Sequence, residues 1–283
     1  MPELAELKLT ADYVNLNSKG ITYVNIEKNP EHKGANLEIP FKYFNVLAES
    51  QGKEIVMTIK DQDSDRSIPI RITMGMSGHF KVTNTGDEPK HAHLKFYRKD
   101  GTTLSFVDVR RFGKWKQGES WSSNRGPDPT TNFQDFVRNI KSNLHRKDFD
   151  KPIHEALMNQ KWFNGIGNYL RAEIMYRVDV NPFTSAREAL TSNPEIYQLC
   201  KILPMQAYKL GGGKIKDWEN PFGKQIEAES WSEFMQCYGN PTMSKITDKN
   251  GRTFWYDPKW DTYDKDWCHY SGMPSPLAYT DTK

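Results

Sequence analysis

The chain has 283 residues, 36 % hydrophobic and 12 % aromatic, with a formal charge of +3. That is enough apolar matter for one large or two ordinary packed domains, and it excludes a globally disordered chain. No apolar run approaches the roughly 18 residues of a membrane span, and three cysteines without a CxxC pair exclude a disulfide framework and a zinc ribbon.

Leu4, Leu7, Ala11 and Val14 recur at three- and four-residue intervals and predict an amphipathic helix that starts almost at the chain end and stops near Gly20. β-favouring runs follow between turn signals, at 21–26, 54–59, 68–73, 94–97 and 103–109, the pattern of a β-sandwich or barrel. From Gln117 to Pro129 the composition turns to Gly, Ser and Pro, a connector. It divides the chain into a first domain, 1–123, and a second, 124–283. Beyond it the period is helical, through Phe133, Phe136, Ile140 and Leu144, then 153–163, 169–177 and 194–209. Segments 243–248 and 252–256 flank Lys249-Asn250-Gly251, and Asn-Gly tolerates the positive φ of a hairpin turn, so a two-stranded finger is predicted. The fold class is therefore α+β in two domains.

Methionine before a small residue is normally excised, which leaves a secondary amine at Pro2. A terminal amine has a pKa of about 8 against about 10.4 for lysine, so roughly a tenth of it is unprotonated at neutral pH and able to attack. Addition to a deoxyribose C1′ gives an iminium, whose nitrogen accepts electrons and labilises the 2′ protons for elimination. Glu3 lies beside the amine and Glu6 one helical turn on, on the same face. Acids at a helix start also serve the dipole; next to a nucleophile they are candidates to protonate an opening sugar ring (Glu3) and to hold the amine or an everted base (Glu6).

The terminus Pro2-Glu3-Leu4-Ala5-Glu6 resembles the Pro-Glu-Gly-Pro-Glu start of the Fpg/Nei, or endonuclease VIII-like, DNA glycosylases, with Leu4 and Ala5 replacing Gly and Pro. Gln51-Gly-Lys53-Glu54 resembles the hairpin that presents the family's lysine, which implies that Lys53 sits over the lesion phosphate and assists proton transfer. Met74-Gly-Met76-Ser-Gly-His-Phe80 and Phe106-Val-Asp-Val-Arg110-Arg-Phe112-Gly resemble the two loops that carry intercalating side chains, by position Met76, Arg110 and Phe112. An apolar pair can fill the gap left by an extruded base while a guanidinium bonds the widowed partner. The stretch from Pro152 to Ile174, with Asn164-Gly165-Ile166-Gly167-Asn168 at its centre, resembles the helix-two-turn-helix signature. Amides left uncovered at a helix start bind phosphate, so Gly165, Gly167 and Asn168 are expected on the DNA backbone.

Cys237 stands alone and Cys268 lies far beyond the finger, so four zinc ligands do not assemble, and His91 and His93 lack a third ligand. Cys237-Tyr-Gly and Asn250-Gly-Arg252-Thr-Phe-Trp resemble instead the zincless finger of the vertebrate-type endonuclease VIII-like branch, with Arg252 directed to the minor groove. No metal or other cofactor is expected. The loop Gly211-Gly-Gly-Lys214-Ile-Lys216 falls where the family places its lesion-recognition loop, with Lys214 and Tyr238 candidates for the lesion pocket.

The resemblance implies an N-terminal β-sandwich flanked by helices, then a helical domain with a helix-two-turn-helix and a zincless β-hairpin finger. It implies a bifunctional glycosylase and lyase that removes oxidised pyrimidines, hydantoins and formamidopyrimidines through a Pro2 Schiff base and β,δ-elimination. The rival reading is a non-catalytic binder of damaged DNA. Damaged DNA, duplex or single-stranded, is the expected partner of an intracellular, soluble monomer with no membrane contact, placed in the nucleus or another DNA-containing compartment.

Overall fold

The computed structural model describes residues 2–213, 218, 220–223, 228–248 and 250–263. Helix α1 (Leu4–Ser18) buries Leu7, Ala11 and Val14 of the predicted stripe in the core of the β-layers, while Leu4, also buried, packs against Gly165. Eight strands follow: β1 (Tyr23–Lys28), β2 (Phe44–Gln51), β3 (Glu54–Asp61), β4 (Ser67–Thr73), β5 (His79–Asn84), β6 (Ala92–Arg98), β7 (Thr102–Val107) and β8 (Lys114–Gln117). They form one sheet in the order β5-β7-β6-β1-β2-β3-β4-β8, every pairing antiparallel. The β1–β2 seam is joined by a single register pair, Tyr23 with Phe44. Phe106 on β7 nevertheless meets Trp115 on β8 at 6.3 Å, although these strands lie near opposite ends of the sheet. The sheet is doubled over into a sandwich, with one apolar core between its halves.

Strands β2, β5 and β8 lie outside the runs expected from sequence. In β2 the segment FNVLAESQ has a helix-like composition, and its strand state is imposed by eight register pairs with β3 that bury Phe44, Val46 and Ala48 on one face.

After β8 the chain is helical: α2 (Phe133–Lys141), α3 (Ile153–Ala156), α4 (Asn168–Val178), α5 (Ala186–Ser192), α6 (Glu195–Lys209) and α7 (Ala228–Phe234). The predicted helix at 153–163 stops after one turn. The Asn159 side chain takes the backbone N–H of Lys161 at 3.1 Å and turns the chain toward Gly165. A second apolar core runs from Phe136 to Tyr256 and includes Ala5 of α1. Strands β9 (Ser244–Thr247) and β10 (Thr253–Tyr256) form the expected hairpin, which packs on this core through Phe254 and Tyr256.

The connector is pinned at both sides. Glu54 of β3 accepts hydrogen bonds from the N–H and hydroxyl of Ser122 and an ion pair from Arg125 at 3.1 Å, while Asp128 accepts the N–H of Gly52 at 2.7 Å. Among the described residues no helix is long and apolar enough to cross a membrane.

Candidate active site

The first residues of the chain are wedged between the two cores. Pro2 is buried, and Glu3, Glu6 and Lys53 expose only 2 %, 0 % and 7 % of their surface. Three ionisable groups are seldom buried together without specific partners. Here the partners come from the helical half. The Glu3 carboxylate accepts the N–H groups of Gly167 at 2.8 Å, Tyr169 at 3.0 Å and Leu170 at 3.3 Å. Helix α4 has glycine as its N-cap and so no capping side chain of its own; the unsatisfied donors of its first turn hold a carboxylate from the other end of the sequence.

Lys53 arrives from the opposite side. Gly52, at φ +56°, makes the two-residue turn between β2 and β3, and the turn is plugged against Asn164 and Asp128. The Lys53 ammonium donates to the carbonyl of Ile166 at 2.7 Å. Gly167 is the spacer between the two groups. A Cβ there would lie 2.3 Å from the Glu3 carboxyl carbon and 2.6 Å from Lys53 Nζ, so glycine is what lets acid and amine approach each other here.

Burial pushes the Glu3 carboxyl up to about 7, against the opposing pull of the Lys53 cation, and Glu6 adds to the rise. Burial likewise pushes Lys53 down to about 8, with Glu3 opposing. Acid and amine are thus drawn toward neutrality, where a proton is most easily exchanged. Burial also raises Glu6, against hydrogen bonds from Gly213 and Glu3.

Glu6 is fully engaged. It accepts the Glu3 N–H at 2.7 Å, the Gly213 N–H at 2.7 Å and the Tyr169 hydroxyl at 3.1 Å. It therefore ties α1 to the glycine-rich loop after α6. Tyr238 lies beside this group, its ring 6.5 Å from that of Tyr169. Lys214 lies outside the described residues.

Gly165 and Gly167 are buried, and their amides are satisfied internally, Gly165 by Gln160 Oε1 at 3.0 Å and Gly167 by Glu3. The outward-facing amides expected at this turn are directed inward, where the Glu3 carboxylate accepts those of Gly167, Tyr169 and Leu170. Asn168 is half-buried; its amide donates to the carbonyl of Thr253 in the finger at 2.8 Å, and its Oδ1 accepts from Arg171 at 2.6 Å. Arg252 lies at the mouth of a polar cleft of about 230 Å³ shared with Lys151, Arg171 and Asp248.

Met76, Arg110 and Phe112 gather on two touching loops. Gly75 packs so tightly that a Cβ would lie 2.6 Å from the Gly113 nitrogen. Phe112 is 53 % exposed, and the Arg110 guanidinium lies 5.1 Å from its ring centroid. A large exposed aromatic beside an exposed arginine is a contact surface rather than core.

Sequence reasoning passed over several residues. Arg171, fully buried, pairs with Asp248 at 3.0 Å and lies over the Phe254 ring, and Asp248 accepts the N–H groups of Asn250 and Arg252. Glu173, fully buried, accepts the N–H groups of Gln236, Cys237 and Tyr238. Both are on α4, and the available signal was a charged residue on each buried face of an otherwise apolar helix. Cys237 is buried and its thiol is pushed up to about 12 by that burial, far from a metal-binding thiolate. Among the described residues no group of three or more His, Cys, Asp or Glu side chains is placed to hold a metal ion.

Residues 1–115 match the family model described as the formamidopyrimidine-DNA glycosylase N-terminal domain, and residues 229–259 match that described as endonuclease VIII-like 1, DNA bind. Endonuclease 8-like 1 of Mus musculus is 35 % identical over 98 % of this chain and 74 % of its own length, and that of Homo sapiens is 34 % identical over the same shares. A formamidopyrimidine-DNA glycosylase of Listeria monocytogenes is 31 % identical over 53 % of this chain and 57 % of its own. In fold, the MutM (Fpg) protein of Thermus thermophilus superposes with a TM-score of 0.76 at 19 % identity, over 92 % of this chain and 98 % of that one. Wild-type Lactococcus lactis Fpg with an oxidised-pyrimidine-containing DNA superposes at 0.73 and 21 % identity, over 92 % and 99 %.

Proposed function

The chain belongs to the Fpg/Nei family of DNA glycosylases, on the endonuclease VIII-like branch with a zincless finger, and from that membership we infer the reaction and the residues that carry it. It is a DNA glycosylase of base excision repair with lyase activity. Its substrates on this reading are oxidised pyrimidines, hydantoins and formamidopyrimidines. The observation that supports the assignment most is the approach of the Glu3 carboxyl and the Lys53 ammonium to each other across Gly167, with Glu3 next in sequence to buried Pro2.

The Pro2 nitrogen attacks C1′ of an everted nucleotide while Glu3 donates its proton to the ring oxygen as the sugar opens; the base departs and an iminium remains. Loss of a 2′ proton expels the 3′ phosphate, a second elimination expels the 5′ phosphate, and hydrolysis frees Pro2. Lys53, over the lesion phosphate, exchanges the protons these steps need. Glu6 and Tyr238, with Lys214, form the lesion pocket. Met76, Arg110 and Phe112 occupy the emptied stack. Asn168 and Arg252 meet the DNA backbone, with Gly165 and Gly167 shaping the turn that presents Asn168. Residues 1–123 and 124–283 are the two domains, with damaged DNA, duplex or single-stranded, bound between them by a monomer working where DNA is kept.

The test is borohydride trapping on an abasic duplex followed by peptide mapping. A reduced adduct on residue 2, altered in Pro2→Gly, is the expected result. Absence of any adduct returns the protein to the rival reading, a binder without turnover, and an adduct on another residue removes Pro2 from its role.

A further inference from the structure

The sequence marks Met76, Arg110 and Phe112 as a trio, yet they sit on two separate loops, and something must keep them in one arrangement. The structure places a single fully buried carboxylate, Asp108, at their common root. One of its oxygens accepts the hydroxyl of Ser77, the neighbour of Met76, and the N–H of Arg110 at 3.2 Å. The other accepts the N–H of Gly113, the neighbour of Phe112, at 2.7 Å. The Ser77 oxygen also accepts the Arg110 N–H at 3.1 Å, closing a small ring of bonds across the two loops. Asp108 itself is anchored to the sandwich, its carbonyl accepting from the His93 ring at 2.9 Å. Between these bonds Arg111 is held at φ +58°, a conformation that residues other than glycine seldom adopt, so the loop is constrained and not relaxed.

Resting on the void-filling assignment above, we propose that Asp108 is a positioning residue that binds Met76, Arg110 and Phe112 into one preformed wedge, so that the stack is opened and refilled in a single step. A carboxylate suits this role because it only accepts: four lone-pair directions match three convergent donors, whereas an amide would point N–H at one of them. Asp108 touches neither the sugar nor the base, so its effect appears only where a stack has to be opened. A duplex lesion demands the wedge. The same lesion in an unpaired bubble does not.

The experiment compares single-turnover excision of thymine glycol from a duplex and from a bubble, together with the fluorescence of 2-aminopurine placed opposite the lesion, for the wild type, Asp108→Asn, Ser77→Ala and a Met76→Ala/Phe112→Ala double variant. The duplex-to-bubble rate ratio should fall at least ten-fold in Asp108→Asn and several-fold in Ser77→Ala, with a matching loss of the 2-aminopurine rise. If Asp108→Asn does not fold by circular dichroism, Ser77→Ala, which breaks only the bridge between the loops, decides. Equal loss on duplex and bubble, or an unchanged ratio in the variants of Asp108 and Ser77, overturns the proposal. If the double variant also leaves the ratio unchanged, the void-filling assignment itself has failed; if it lowers the ratio while the other two do not, only the role of Asp108 is lost.

Discussion

Glu3 does two jobs with one carboxyl. It satisfies the first turn of α4, and on the proposed mechanism it also gives up a proton beside Pro2. Because burial holds it protonated up to about 7, the acid form is present at and below neutrality and is lost as pH rises through that value. The single-turnover excision rate of the wild type should therefore fall above about pH 7. Glu3→Gln should lose on the order of 10²–10⁴-fold in excision and show no such descending limb, while still forming a trapped adduct on a preformed abasic site. A pH–rate profile of the two proteins checks this, and a variant profile that still bends at pH 7 would assign the titration to another group. The acids were legible in sequence because they stand next to Pro2. The raised carboxyl was not, since burial raises it against the pull of Lys53 and the Tyr169 N–H, and that burial arises only when the two halves of the chain pack together.

The turn before α4 is where the two halves of the chemistry meet. Gly167→Ala adds one methyl between Glu3 and Lys53. It should cost on the order of 10²-fold in excision, as small displacements of reacting groups do, with duplex binding retained in a gel-shift titration; retained activity would show that the spacing of the two groups is not critical. At the far side of α4, the buried Arg171–Asp248 pair fastens the finger. Arg171→Met leaves Asp248 without its cation and should destabilise the fold by about 3–5 kcal/mol, read by urea denaturation, with protease cuts appearing first in the finger. The finger could be read from the sequence because its turn carries an Asn-Gly signal, and the helix-two-turn-helix because residues 152–174 resemble the family signature. The fastening of one to the other could not, because Arg171 and Asp248 are 77 residues apart. Strand β2 was hidden for a related reason: its residues favour a helix, and only β3 makes them a strand.

At the scale of the molecule, a formal charge of only +3 leaves DNA affinity to local groups, and Arg252, on a cleft whose three basic side chains are matched by Asp148, Glu155 and Asp248, is one candidate. Affinity should fall steeply with salt, and Arg252→Ala should reduce the slope of log K against log salt by about 1 if its guanidinium meets a phosphate. An unchanged slope would move Arg252 off the backbone. The two-part plan was legible as a change of hydrophobic period near residue 117, whereas the docking between the parts, through Glu54, Asp128 and Glu3, rests on polar residues with no periodic signature. That docking has a consequence for how the protein is made. Synthesis runs from the N-terminus, so Pro2 and Glu3 emerge from the ribosome early, yet the Glu3 carboxylate has no seat until residues 167–170 have followed and folded. On the proposed mechanism, a half-finished or prematurely terminated polypeptide holds Pro2 without a seated Glu3 and should not excise bases.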